Sequence, residues 1–136
     1  MIHIRLILLL HGNKEEEMHT VFCIIGRTAS GKSTIVNAVA KDLNLKILKS
    51  YTTRARRKNE VGNNCDHTFI SADDVSKYVD DMVAYTERAG YCSFATESQL
   101  MESDLYIINP SGYSDLINTT RDIPNLQLVD IWIDCD

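Results

Sequence analysis

The chain has 136 residues, 44% of them hydrophobic and 24% charged, with two prolines and six glycines. That length sets an expectation of one domain with a real core, and that composition excludes intrinsic disorder and collagen-like repeats. Nineteen acidic against fourteen basic residues leave a net charge of -5, so no chain-wide basic field draws it to nucleic acid and any anion site must be local.

The N-terminal segment has two readings. Residues 2–10 form an extra strand followed by a solvated charged turn, or residues 1–17 are read-through of an upstream leader and Met18 is the start. The second rests on Lys14-Glu15-Glu16-Glu17, whose purine-rich codons resemble a ribosome-binding site just ahead of Met18. The longest apolar run, residues 6–10, is far short of the roughly 20 needed to cross a bilayer, and no small-residue cleavage site follows it. The expectation is neither membrane span nor export signal. Cys23, Cys65, Cys92 and Cys135 show no Cys-x-x-Cys or zinc spacing, which points to a reduced, cytosolic chain.

Val21-Phe22-Cys23-Ile24-Ile25 is a short apolar run of the kind that forms a buried parallel strand. From Lys32 the period changes. Ile35, Val36, Val39, Ala40 and Leu43 fall on one face of an amphipathic helix. A second strand at 45–48 completes a β-loop-α-β unit. Residues 52–64 are polar and basic without a period, and 67–70 form a short strand. Ser71 starts a helix as a capping-box variant with Asp74, its buried stripe being Val75, Tyr78, Val79, Met82 and Val83. Residues 83–86 and 91–95 read as a hairpin about Arg88-Ala89-Gly90, and Thr96 with Gln99 caps a short helix ending near Glu102. A buried strand at 105–108, a short helix at 114–121 and a strand at 128–133 follow.

The link between the first strand and helix carries the chemistry. Gly26-Arg27-Thr28-Ala29-Ser30-Gly31-Lys32-Ser33 matches the eight-residue P-loop pattern, with a strand before it and a helix after it. Glycines let successive backbone N–H groups turn inward toward phosphate oxygens, and the helix N-terminus adds its positive dipole end. Lys32 then neutralises β/γ-phosphate charge, and the Ser33 hydroxyl is a magnesium ligand. A second basic feature, Arg54, Arg56 and Arg57, follows the second strand of an otherwise acidic chain. Guanidinium forks bind phosphate two-pronged, so this cluster near a P-loop suggests a second phosphoryl-bearing substrate.

Gly26 to Thr34, then Ser50-Tyr51-Thr52-Thr53-Arg54-Ala55-Arg56-Arg57, Glu60, and Asp66-His67-Thr68-Phe69-Ile70-Ser71, resemble the guanylate kinase family in order and spacing, from about Val21 to the end. The Ser-x-Thr-Thr-Arg-x-x-Arg stretch is the most specific part. The resemblance implies ATP and Mg²⁺ held by Gly26, Arg27, Thr28, Ala29, Ser30, Gly31, Lys32, Ser33 and Thr34. It implies that Ser50, Arg54 and Arg57 hold the phosphate of GMP, and that His67 stands where the family has a phosphate-binding tyrosine, after one inserted residue. Three departures accompany it. The family glutamate that reads the guanine edge has no clear counterpart, Glu87 being nearby; the family aspartate after the strand at 105–108 is Asn109; and an arginine-bearing lid does not follow Asp136.

These readings set the expectations for the fold and the activity. The fold expected is α/β, a P-loop-type parallel core of residues 18–50 and 103–136 with 51–102 as an inserted nucleoside-monophosphate-binding subdomain. The activity expected is ATP-dependent phosphoryl transfer to GMP or dGMP, with Lys32, Arg54 and Arg57 as catalytic residues. A non-catalytic module binding nucleotide or a partner protein, or a kinase for another small phosphorylated acceptor, remains open. Self-association through an uncovered strand bearing Ile131, Trp132 and Ile133 is a further expectation.

Overall fold

A computed structural model describes the backbone of residues 2–9 and the backbone and side chains of 17–26, 31–60 and 65–133. Among the described residues, nine strands fall into two sheets. In chain order they are β1 (Ile2–Leu9), β2 (His19–Ile25), helix α1 (Lys32–Leu43), β3 (Ile47–Leu48), β4 (Ser50–Thr52), β5 (His67–Phe69), a 3₁₀ helix (Ala72–Asp81), β6 (Met82–Arg88), β7 (Tyr91–Thr96), α2 (Glu97–Glu102), β8 (Leu105–Ile108), α3 (Pro110–Thr119) and β9 (Leu126–Ile133). The first sheet has the order β1-β9-β2-β8-β3 and the second β5-β4-β7-β6.

In the first sheet β9, β2, β8 and β3 run parallel. Both of its faces are covered, which is what a continuous apolar strand such as β2 requires. Val21, Cys23 and Ile25 face one core cluster with Leu100, Leu116, Leu126 and Leu128. Ile24 faces the other, with Val36 and Ala40 of α1 and Leu105 and Ile133. The strand reading of the N-terminal segment corresponds to β1, which lies antiparallel on β9 from Ile2 opposite Ile133 to Leu9 opposite Leu126. The charged run 14–16 lies outside the described residues.

Several expected features differ. Of the apolar stripe on α1, Val36 and Ala40 are buried, whereas Ile35, Val39 and Leu43 are exposed, because the sheet contacts a narrower arc than the sequence offers. The helix after Ser71 is 3₁₀ and buries no residue. Met82 and Val83 belong to β6 instead, and Val79 is 61% exposed. The Ser71 hydroxyl accepts from the Asp73 N–H, not from Asp74, as suits the tighter turn. Helix α3 begins at Pro110 rather than near 114, since Asn109 caps it by accepting from the Gly112 N–H at 2.7 Å and proline takes the first helical position. β9 is not an edge: β1 and β2 pair with its two sides. Ile133 is buried, and Ile131 and Trp132 pack against the two core clusters.

The second sheet is built from chain between β3 and β8. Its hairpin turns on Ala89 and Gly90, with φ of 50° and 82°. In β6 the register slips between Val83 and Thr86, and Ala84 takes φ 56°. This bulge is tied to the first sheet's side, for the Tyr85 N–H donates to Asp115 Oδ2 of α3 at 2.7 Å. Tyr51, Tyr78 and Phe94 stack within 4.5 to 5.7 Å of one another and hold the 3₁₀ helix onto β4 and β7. Thr96 and Gln99 form the expected capping box of α2. Cys23 and Cys92 are buried free thiols, Cys65 donates its S–H to the His67 carbonyl, and Cys135 lies outside the described residues. No helix among the described residues is long and apolar enough to cross a membrane.

Candidate functional site

Where α1 begins, the parallel strand β2 ends at buried Gly26 and the helix restarts the chain at Lys32. Gly31, immediately before it, has φ 81°, a conformation that glycine adopts without strain. Arg27, Thr28, Ala29 and Ser30 lie outside the described residues. The Lys32 ammonium donates to the Gly26 carbonyl at 2.5 Å. Burial lowers its pKa and the nearby Asp66 carboxylate works against that. Thr34, two residues after Lys32, is exposed on α1 and does not line the cavity described below.

A cavity of about 500 Å³ opens between this helix start and the second sheet. Lys32 and Ser33 line it from the α1 side, and Ser50, Arg54, Arg57 and His67 line it from the strand β4 side. So the two groups of predicted residues, separated by up to 35 positions in sequence, face one space. Thr86, Glu87, Arg88, Tyr91 and Ser93 from the β6–β7 hairpin, and Asn109 and Ser111 from the start of α3, are also in its wall.

Each basic residue is held differently. Arg54 makes a two-pronged pair with Glu60, Nη1 to Oε2 at 3.0 Å and Nη2 to Oε1 at 2.8 Å. Glu60 Oε2 also accepts from the Arg57 backbone N–H at 2.7 Å, so one carboxylate shapes the whole arginine loop. The hydrogen bond from Arg54 holds the Glu60 carboxyl down at about 2 and raises the pKa of Arg54. Arg57 is exposed at the cavity wall. Arg56 does not line the cavity; its guanidinium lies 4.4 Å from the Phe69 ring centroid, a cation–π placement.

His67 Nδ1 is 2.9 Å from Ser50 Oγ, across the parallel pairing of β4 with β5. Burial, and then the charge of Arg54, lowers the His67 pKa, so near neutral pH the ring is uncharged. With its hydrogen on Nε2, the ring accepts from Ser50 and retains an N–H donor. Two features escaped sequence reasoning. Glu60 had no role assigned, although an acid six residues after an arginine in a loop can pair with it. Asp66 accepts a hydrogen bond from Ser33 Oγ at 2.5 Å; nothing in its sequence position signals a partner 33 residues away.

Among the described residues no group of three or more His, Cys, Asp or Glu side chains stands ready to cage a metal. The oxygens of Ser33 and Asp66 fit a hard cation such as Mg²⁺, which takes few protein ligands and completes its shell with phosphate and water.

This architecture, a parallel sheet flanked by helices with Gly26 following β2 and Gly31 preceding α1, is a mixed α/β fold compatible with the P-loop class. Among solved structures it is similar to the crystal structure of guanylate kinase from Anaplasma phagocytophilum, with a TM-score of 0.57 and 17% sequence identity. The likeness covers 82% of this chain and 58% of that one, and at this identity it is a likeness of fold. No protein-family model and no curated protein matches the sequence.

Proposed function

We propose that the chain is a guanylate-kinase-like enzyme that moves the γ-phosphoryl of ATP to a nucleoside monophosphate, GMP or dGMP. One observation carries this reading: Lys32 and Ser33, the end of the P-loop motif, share a cavity with Ser50, Arg54, Arg57 and His67. Two polyanions need two sets of cationic and hydrogen-bonding groups facing each other, and this cavity is lined that way. The solved guanylate kinase of similar fold supports the same reading.

In this reading the backbone N–H groups from Gly26 to Ser33 and the Lys32 ammonium bind the donor phosphates, Lys32 leaving the Gly26 carbonyl for a phosphate oxygen. Arg54, fixed in orientation by Glu60, and Arg57 bind the acceptor phosphate, with Ser50 and the His67 ring as further donors. Magnesium, when bound beside Ser33, supplies charge neutralisation at the phosphates. Catalysis by these residues is positioning and charge neutralisation, which is most of what phosphoryl transfer needs from a protein. The hairpin groups Thr86, Glu87 and Ser93 face the same cavity and are the side chains available to read the base.

The test is a coupled assay with ATP, Mg²⁺ and GMP, run beside calorimetry for each nucleotide. Turnover that Lys32→Ala abolishes supports the enzyme. Nucleotide binding without turnover supports a binding module, and turnover only with another phosphorylated acceptor moves the substrate while keeping the chemistry. Lys32→Ala should weaken ATP by about tenfold to 150-fold, the equivalent of a charge-assisted phosphate contact of about 1.5 to 3 kcal/mol. An unchanged ATP affinity in that variant overturns the reading.

A further inference from the structure

Three carboxylates line the main cavity: Glu60, Asp66 and Glu87. Glu60 is engaged by Arg54 and by the Arg57 N–H. Glu87 accepts from the Tyr85 hydroxyl at 2.6 Å, out on the hairpin. The Asn109 amide oxygen, close to where α3 starts, is neutral and accepts from Gly112 N–H and Ser111 Oγ. Of these groups, Asp66 is the one bonded to the P-loop side, where it accepts the Ser33 proton at 2.5 Å. Ser33, Glu60 and Asp66 also line a second cavity of about 480 Å³.

A serine hydroxyl has one proton and two lone pairs. With its proton directed at Asp66, the lone pairs of Ser33 point away from that carboxylate and are available to a cation. A carboxylate accepting from a metal-ligating group also makes that group a better ligand, and removing such a partner typically costs 10- to 100-fold in metal affinity. Asp66 belongs to the chain leading into β5, whereas Ser33 stands in the first turn of α1. The bond therefore joins the donor side of the cavity to the acceptor side.

We propose that Asp66 is a positioning residue for the magnesium that accompanies the nucleotide: it accepts the Ser33 hydrogen bond, aims the hydroxyl lone pairs at the cation and places a negative charge behind them. This rests on the phosphoryl-transfer reading above. It makes metal binding depend on where the second sheet sits, because the carboxylate arrives with that sheet.

A structural tie and a metal-positioning carboxylate predict opposite patterns. Asp66→Asn keeps an oxygen that can accept from Ser33 but carries no charge, and Asp66→Ala removes both. The experiment is calorimetry of ATP binding to the full chain with Mg²⁺ and, separately, in EDTA, together with Mn²⁺ titration of the ATP complex followed by electron paramagnetic resonance. Expected for Asp66→Ala is a 10- to 100-fold loss of Mn²⁺ affinity and weaker binding of Mg-ATP, with a smaller loss for Asp66→Asn. Metal-free ATP should bind both variants as well as wild type or more tightly, since an anion has left the neighbourhood of its phosphates.

Equal losses with and without metal would make Asp66 a structural tie only and overturn the proposal. So would unchanged affinities in both variants. Wild-type chain that binds ATP under neither condition overturns the phosphoryl-transfer reading itself, and this inference with it. A wild type that binds normally, with variants lacking the crossed pattern, removes the role of Asp66 alone.

Discussion

The guanidinium of Arg54 and the carboxylate of Glu60 meet fork to fork, at 3.0 and 2.8 Å, with only 13% and 14% of their side chains exposed. A pair this sheltered has lost most of its water, so removing one partner leaves the other poorly solvated. The same carboxylate holds the Arg57 N–H and so fixes the path of the loop that carries both arginines.

Glu60→Gln should therefore destabilise the chain at pH 7 by about 1 to 3 kcal/mol, below the range for fully buried pairs because some solvent remains. The wild-type carboxyl titrates at about 2 when folded, against an ordinary 4.5. Its contribution is complete above about 4.5 and is lost as pH falls toward 2, because the unfolded chain takes up the proton first. Urea denaturation of both proteins across this range should show the gap between them closing in acid. A gap that stays constant from pH 7 to pH 2.5 would show that the charge of Glu60 is immaterial.

The three arginines should separate by position. Arg54→Ala and Arg57→Ala should weaken GMP binding while leaving ATP nearly unaffected, Arg54 the more so because it is better sheltered and held, by up to about 3 kcal/mol for a charge-assisted contact. Arg56→Ala should leave both nucleotides within about twofold, since Arg56 lies on Phe69 outside the cavity lining. Calorimetry on the three variants decides it. A loss of GMP affinity in Arg56→Ala alone would reverse the assignment.

The hairpin turn offers a stability test independent of any ligand. Ala89 sits at φ 50° before Gly90 at 82°, a type I′ arrangement that favours Asn-Gly and strains alanine. Ala89→Asn should raise stability by about 0.5 to 1 kcal/mol, read as a higher urea midpoint at unchanged slope. A lower midpoint would place the turn in another geometry.

What was legible in the sequence was what local pattern encodes. The run 21–25, the change to a helical period at Lys32 and the Thr96/Gln99 box each carry their signal within a few residues, and each stands in the fold where expected. The sequence pattern assigns no strand at Ser50–Thr52 and gives Thr52 to the polar stretch 52–64, because three residues hold no period. That segment forms a strand through its partners, β5 on one side and β7 on the other. The extent of the α1 stripe failed for a related reason: an apolar arc tells which residues can be buried, and only the width of the sheet beneath decides that Val36 and Ala40 are. The site divides in the same way. Lysine, serine and arginines were visible as motif, whereas the Glu60 and Asp66 partnerships depend on how loops fold back.

The pH response of His67 separates two roles for this side chain. Burial first, and the charge of Arg54 second, lower its pKa from the ordinary 6.5, against the raising influence of Asp66 and Glu60. A histidine kept neutral in the folded state is more readily protonated when unfolded. Stability therefore holds above about 6.5 and falls as pH drops from there through the lowered folded value. His67→Gln should flatten this slope, and its effect should set in below about pH 6.5, above the 4.5 at which that of Glu60 begins, so the two onsets are distinguishable in one set of denaturation curves. In the proposed acceptor site, the Nε2–H tautomer backed by Ser50 would give one neutral hydrogen bond to phosphate, worth about 0.5 to 1.5 kcal/mol. His67→Ala should thus weaken GMP about two- to tenfold at pH 7.5, while His67→Tyr, which returns a hydroxyl donor, should recover part of it. Calorimetry at pH 7.5 reads both. If alanine and tyrosine bind GMP as tightly as wild type while the stability slope still flattens, His67 is a buried strand residue of β5 and the acceptor phosphate is held by serine and arginine alone.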